Sequence, residues 1–197
     1  MKRAHTLSFV ITMMLVAGCS ASPPARFYVL SATAVTQSGP TSNARVMVGP
    51  VSIPASVDQP QFVLKVASNR VEVDELDRWA APLDESIARA VAGDLAILLG
   101  TPTVATAQLA NFSPEYVVAI DVQRFESVKG DSANLEAVWT VRKISSGEIL
   151  SGRSSIREPA LGKDYEALAV AHSRALAGLS ENIADVIRAE NSSKKQT

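Results

Sequence analysis

Residues 116–125 read Tyr-Val-Val-Ala-Ile-Asp-Val-Gln-Arg-Phe, and apolar and polar side chains alternate through the middle of this stretch. Alternation with a period of two is typical of a strand with one buried face. Residues 135–144 repeat the pattern, and a third strand-like run covers residues 149–156 after the turn at 145–148. Three successive strands joined by short turns predict an antiparallel meander.

A helix is predicted on each side of this meander. Residues 83–99 place leucine, isoleucine and valine at helical spacing, with Pro82 suited to the first turn and Gly100 to the stop. Residues 165–190 carry a second apolar stripe, with Asp164 as the expected N-cap.

Shorter strands are predicted before the first helix, separated by a polar loop at residues 31–44. They are expected at residues 27–30, 45–53 (with a bulge or break at Gly49-Pro50), 62–67 and 71–73, and a further short strand at 103–108. The pattern predicts one α+β domain over residues 26–190, with a mixed or antiparallel β-sheet and two main helices packed on one face. Residues 191–197 read as a polar, frayed tail.

Composition excludes several classes of function. The chain has 197 residues, a formal net charge of −1, one cysteine and two histidines. The charge gives no basic surface for nucleic acid, so no nucleic-acid partner is expected. A single cysteine cannot form an intramolecular disulfide or a cysteine-based zinc site, and no phosphate-binding loop occurs. No cofactor, metal site or catalytic residue is predicted.

The N-terminus has the pattern of a bacterial lipoprotein signal. Lys2 and Arg3 precede an apolar run at residues 7–16, which is too short to span a bilayer. Val16-Ala17-Gly18-Cys19 resembles a lipobox, which implies a signal peptide over residues 1–18 and lipidation of Cys19. The alternative is a secretory signal with an incidental cysteine.

The residues after the cysteine bear on where the domain lies. Ser20 stands where enteric bacteria usually place an inner-membrane retention aspartate, so the default destination is the outer membrane, on its periplasmic face. Residues 19–25 are the lipidated cysteine and a short spacer, in which six extended residues reach roughly 20 Å. The folded domain is therefore expected close to the membrane.

Four features are candidates for chemistry, and each has a structural alternative. His172 lies on the stripe of the second helix and is either a buried structural residue or the base of a hydrolase. Asp74, Glu75 and Asp77 form an acidic cluster, interpreted as a solvated turn or a weak Ca²⁺ site. Trp79 packs in the core or anchors a partner. Residues 58–61 form a strand-leading turn or a recognition loop.

Several motifs, in order along the chain, resemble those of the PqiC-type ABC-transport auxiliary lipoproteins. The matching segments are the lipobox, Phe27-Tyr28-Val29-Leu30, Val48-Gly49-Pro50-Val51-Ser52-Ile53-Pro54, Asp58-Gln59-Pro60-Gln61, Asn69-Arg70-Val71 and Arg78-Trp79-Ala80-Ala81-Pro82-Leu83. Two positions depart from the family pattern, because Gln59 replaces an expected arginine and Ala81 an expected glutamate. These departures put in doubt any partner contact that the two charges make.

The resemblance implies a role without catalysis in a lipid-transport system built on mammalian-cell-entry (MCE) domains. The protein would hold the periplasm-spanning MCE component at the outer membrane and support membrane integrity, and self-association is left open. Candidate partner contacts are Asp58, Gln59, Pro60, Gln61 and Trp79. Two alternatives remain: a lipoprotein that regulates or assembles another envelope enzyme, such as a peptidoglycan synthase, and a periplasmic hydrolase that uses His172.

Overall fold

A computed structural model describes residues 23–36, 43–108 and 110–193 of the chain. The predicted signal peptide, Cys19 and the first residues of the predicted spacer lie outside the described residues, as do the last four residues of the predicted polar tail. Within the described part, no helix is both long and apolar enough to cross a bilayer.

Eight strands and two helices make up the described fold. The strands are β1 (Arg26–Tyr28), β2 (Val46–Ser52), β3 (Gln61–Ala67), β4 (Arg70–Trp79), β5 (Val104–Ala105), β6 (Tyr116–Val128), β7 (Ser132–Lys143) and β8 (Ile149–Pro159). The helices are α1 (Leu83–Leu99) and α2 (Tyr165–Ser193).

The strands form one mixed sheet that forks along β6. On one side β6 pairs with β7, and β7 with β8, all antiparallel, which confirms the predicted meander. On the other side the first half of β6 pairs in parallel with β2, whereas its end meets β3 at the single pair Leu64 and Ser127. Strand β3 continues into the antiparallel hairpin with β4, and β1 adds to β4 in parallel.

Both helices pack on one face of the sheet and on each other, which confirms the predicted α+β fold. Strand β7 shows why: Leu135, Ala137, Trp139 and Val141 alternate inward and are at most 5% exposed, while the residues between them are half-buried. The apolar stripes of α1 and α2 cover this face, because each must remove its apolar side chains from water.

The element ends differ from the prediction where long-range pairing decides them. Strand β4 continues through the acidic cluster to Trp79, because β3 and β1 flank it on both sides. Helix α2 continues to Ser193, beyond the predicted end at Glu190. Its last turn is held to β6, because Tyr116 Oη donates to Asn191 Oδ1 at 2.8 Å. The predicted break at Gly49-Pro50 is present as a register shift between β2 and β6.

Candidate partner-docking site

The connection between β2 and β3 holds the predicted recognition turn in an ordered conformation. Three backbone N–H groups close it: Val57 donates to Pro54 at 3.0 Å, Gln59 to Val57 at 2.9 Å, and Trp79 to Pro60 at 2.7 Å. Asp58 and Pro60 are exposed, whereas Gln59 is half-buried. The turn is therefore an exposed surface with a fixed backbone.

The two glutamine side chains of the turn bond within the protein. Gln59 Nε2 donates to the Ser56 carbonyl at 3.3 Å, so this side chain folds back on its own connection. Gln61 Nε2 donates to Glu75 Oε2 at 3.3 Å, across the β3–β4 pairing. Asp58 and Pro60 consequently present the most outward surface of the four residues.

Trp79 lies in the core, which corrects its place among the candidate contacts. Its side chain is 5% exposed and stacks on Phe62, with ring centroids 4.1 Å apart. Phe125 and His172 meet the same ring edge-on at 6.0 and 6.1 Å. The structure favours the core alternative, and Trp79 supports the turn through its backbone bond to Pro60.

A groove of about 180 Å³ lies beside the turn, between the β2–β3 connection, the β3–β4 hairpin and residues 123–126 of β6. Residues 54–57 form one wall and the β3–β4 hairpin another, and Val63 is among the apolar residues that line it. Lys65 and Glu126 form an ion pair at 2.8 Å along the groove. The turn and the groove together form a continuous surface of mixed polarity, referred to below as the β2–β3 surface.

The acidic cluster is not a solvated turn, because it lies in β4 and two of its carboxylates are engaged. Asp77 is fully buried, receives two hydrogen bonds from Arg26 at 2.8 and 2.5 Å, and accepts the Tyr28 hydroxyl at 2.7 Å. Burial and that hydrogen bond raise the pKa of Tyr28 to about 12. Asp74 accepts the Tyr165 hydroxyl at 2.6 Å, which lowers the pKa of its carboxyl.

The same residues do not form a cation site. Among the described residues, no group of three or more histidine, cysteine, aspartate or glutamate side chains could hold a metal ion. In the cluster the positive partner is the Arg26 guanidinium, which fixes β1 against β4. Asp77 therefore attaches the first strand, whereas Asp74 binds Tyr165 at the start of α2.

His172 is enclosed in the core and has no open side toward solvent. The ring is fully buried, stacks on Phe125 at 3.9 Å between centroids, and its Nε2 lies 2.8 Å from the Ser127 hydroxyl. Its Nδ1 has no hydrogen-bond partner. Burial lowers the pKa of the imidazole to about 3, so the ring is neutral at physiological pH. The structural alternative for His172 is favoured.

Asp94 of α1 is a second buried carboxylate, and no sequence motif identified it as a functional residue. Its Oδ1 accepts the backbone N–H groups of Thr33 and Ala34, both at 2.8 Å, and burial raises the pKa of its carboxyl. Ser31 N also donates to Ser173 Oγ of α2 at 3.2 Å. Residues 29–36, named here the N-terminal strap, are thus tied to both helices. The sequence feature that could have indicated this buried carboxylate is the position of Asp94 beside the apolar stripe of α1.

Comparison with known proteins places this geometry in a family. Residues 28–184 match the family model described as "ABC-type transport auxiliary lipoprotein component". The chain belongs to this family. The match runs from Tyr28 in β1 to Ala184 in α2 and so covers nearly the whole folded domain. It confirms the resemblance that the sequence motifs indicated.

Two solved structures share the fold of this auxiliary lipoprotein. A crystal structure of a protein from Xanthomonas campestris, assigned to family DUF330, is 20% identical and covers 87% of this chain and 100% of its own, with a TM-score of 0.70. A crystal structure of an uncharacterized protein is 18% identical and covers 84% of this chain and 99% of its own, with a TM-score of 0.69. No curated protein matches the chain.

Proposed function

We propose that this auxiliary lipoprotein is a non-catalytic outer-membrane subunit of an MCE-type lipid-transport system in a Gram-negative envelope. Lipidated Cys19 anchors it to the periplasmic face, and the domain docks the periplasm-spanning MCE component there, which supports membrane integrity. The observation that carries the proposal is the family match over residues 28–184, which makes the chain an auxiliary component of ABC-type transport.

The lipid anchor has support from the sequence as well as from the family description. The chain's single cysteine stands at the end of the lipobox, directly after a short apolar run. A diacylglyceryl group with an added acyl chain exceeds the two signals that stable membrane anchoring requires. Energy for transport comes from a separate component, in agreement with the missing phosphate-binding loop.

The β2–β3 surface is the proposed docking site for the MCE component. Its backbone is already ordered by the bonds of Val57, Gln59 and Trp79, so a partner need not order it on binding. Asp58 and Pro60 project from it, and the adjacent groove adds apolar area and the Lys65–Glu126 pair. Such a mixed surface is typical of non-obligate interfaces.

Site-specific photo-crosslinking tests this assignment together with the partner. A photoreactive residue replaces Asp58 in the full-length protein with a C-terminal tag, and crosslinked products are identified by mass spectrometry after solubilisation in mild detergent. The matched control carries the same residue at Glu148, an exposed carboxylate in the β7–β8 turn. We expect an MCE-domain protein in the products from position 58 and not from position 148.

Each other result has a defined meaning. An MCE-domain protein captured equally from both positions would contradict the docking surface and keep the partner. A peptidoglycan synthase captured from position 58 would replace the proposal with the regulatory alternative. Co-purification of the tagged protein without any transport component would contradict the proposed function itself.

A further inference from the structure

The directions of the strands show which loops lie together at one end of the domain. Strand β1 runs parallel to β4 and pairs with its last three residues, Asp77–Trp79, so the chain enters Arg26 near the end of β4, from the direction of the β3–β4 hairpin. Strand β3 is parallel to β6, and β8 ends opposite the start of β7. The β3–β4 hairpin, the β6–β7 hairpin at residues 129–131 and the β8–α2 loop at residues 160–164 therefore lie at one end of the sheet, the end from whose direction the chain enters β1.

The length of the chain before β1 favours this end as the one turned toward the membrane. Seven residue steps separate Cys19 from Arg26 and span at most about 25 Å. Helix α2 starts at this end with Tyr165 and, with its 29 residues, runs about 44 Å to the opposite end. A lipid on Cys19 therefore holds the hairpin end nearer the bilayer than the far end of α2.

The β8–α2 loop presents an apolar side chain at this end. Leu161 is 83% exposed, although Ala160 before it packs against the core and donates its N–H to the Asp131 carbonyl at 2.9 Å. The loop is thus fixed at its base, while its leucine projects into solvent.

Two lysines flank this leucine. Lys163 is exposed and its side chain lies over Gly130 of the β6–β7 hairpin, and Lys129 Nζ lies 4.2 Å from the centre of the Tyr165 ring. Of the acidic groups nearby, Asp131 is paired with Arg157 at 2.8 Å, whereas Asp164, which accepts the Ala167 N–H at 2.8 Å, and Glu166 in the first turn of α2 are exposed carboxylates. An apolar tip beside cationic side chains matches the interface of a phospholipid bilayer.

We propose that the β8–α2 loop contacts the bilayer that carries the lipid anchor, with Leu161 in the boundary between headgroups and acyl chains. Lys163 and Lys129 face the lipid phosphates. This contact rests on the proposed anchoring at Cys19, and it sets which side of the domain faces the membrane. The turn at residues 58–60 lies at the start of β3, at the opposite end of that strand from the β3–β4 hairpin, so this part of the β2–β3 surface remains free for a partner arriving from the periplasm.

A thiol-reactive, polarity-sensitive fluorophore tests the contact in the full-length protein. It is attached to Leu161→Cys or, as the matched control, to Ile149→Cys, which is 53% exposed at the opposite end of the sheet. Lipidation blocks the thiol of Cys19, so each variant has a single reactive sulfur. The proteins are reconstituted into phosphatidylethanolamine vesicles with phosphatidylglycerol, with or without nitroxide-labelled lipid.

We expect a blue shift of the probe at position 161 on reconstitution and none at position 149. Lipid-borne nitroxide should quench the first probe at least about twofold more than the second, since interfacial side chains lie ~5–10 Å into the headgroup boundary. Equal quenching, with mass spectrometry showing acylated Cys19, would overturn the loop contact and leave the proposed function intact. An unacylated Cys19 would overturn the anchor and the contact together.

Discussion

Gly152 of β8 leaves no room for a side chain, because the Trp139 ring covers its Cα. A Cβ built there lies 2.3 Å from Trp139 Cζ2, and the ring is held in place by its Nε1 bond to Ser154 Oγ at 3.0 Å. We expect Gly152→Ala to lower the free energy of unfolding by about 1–3 kcal/mol, the usual cost of overpacking. Urea denaturation measures it.

The control for this substitution is the neighbouring exposed residue. Ser151→Ala adds no volume and should change the stability by less than about 0.5 kcal/mol, as most surface substitutions do. Equal urea midpoints for Gly152→Ala and the unmodified protein would show that the Trp139 ring can move aside, contrary to this expectation.

At the residue scale, the sequence predicts burial better than it predicts partners. The helical spacing of α2 places His172 on the apolar stripe, and the structure buries it there. No local pattern pairs Asp77 with Arg26, or Asp94 with Thr33, because these contacts join positions 51 and 61 residues apart. Trp79 stayed ambiguous for the same reason, since its stacking partner Phe62 belongs to another strand.

At the element scale, the N-terminal strap should depend on the Asp94 carboxylate. Asp94→Ala leaves the N–H groups of Thr33 and Ala34 without their acceptor, whereas Asp94→Asn retains an oxygen that can accept both. We expect amide hydrogen exchange of the strap to rise at least about tenfold in the alanine variant, since each bond to a charged acceptor contributes ~1.5–3 kcal/mol.

Hydrogen exchange with mass spectrometry on a peptide covering residues 31–36 measures this effect, and a peptide from β6 is the internal reference. The asparagine variant should lie between the alanine variant and the unmodified protein, because its neutral amide oxygen still accepts both bonds, but more weakly than a carboxylate. If the alanine variant exchanges at the unmodified rate, other contacts, such as that of Ser31 with Ser173, suffice to hold the strap.

The elements themselves follow from local periodicity in the second half of the chain and less so in the first. Strands β6 to β8 and both helices have clear periods of 2 or 3.6, and their positions were predicted. Strand β4 was predicted only around residues 71–73, because Asp74 and Asp77 look solvated until Tyr165 and Arg26 are placed beside them. The fork in the sheet depends on pairing between distant strands, which periodicity does not encode.

At the scale of the whole molecule, global stability should fall as the pH drops below about 6.5, the ordinary pKa of histidine. Burial lowers the pKa of His172 to about 3. Below about pH 6.5 the imidazole therefore binds a proton in the unfolded chain but stays neutral in the folded one. The stability that neutral His172 contributes is fully present above its pKa in the unfolded chain, and it decreases as the pH falls from there to its pKa in the folded protein. The slope reaches at most about 1.4 kcal/mol per pH unit for one proton.

Three aspartates also have shifted pKa values, lowered for Asp74 and Asp131 and raised for Asp94, so their effects on stability differ in sign. The lowered pKa of Asp74 adds stability that is lost as pH falls through its folded value, whereas the raised pKa of Asp94 favours the folded state on protonation. Urea unfolding from about pH 7 to about pH 4.5 covers the range below the ordinary pKa of histidine, and comparison with a variant that lacks the imidazole isolates the share of His172. His172→Gln should flatten the profile, and parallel profiles for both proteins would contradict this assignment.

The parallel pairing of β1 with β4 also has a mechanical consequence. A pull on the chain from the hairpin end acts along the axis of β1, so the bonds that join it to β4 are loaded in shear. Bonds loaded in this way must yield together, whereas a pull across the strand would open them one at a time. The Arg26–Asp77 pair sits at the first residue of β1 and takes the load before any other contact. Tension from the proposed lipid anchor would thus be borne by the sheet.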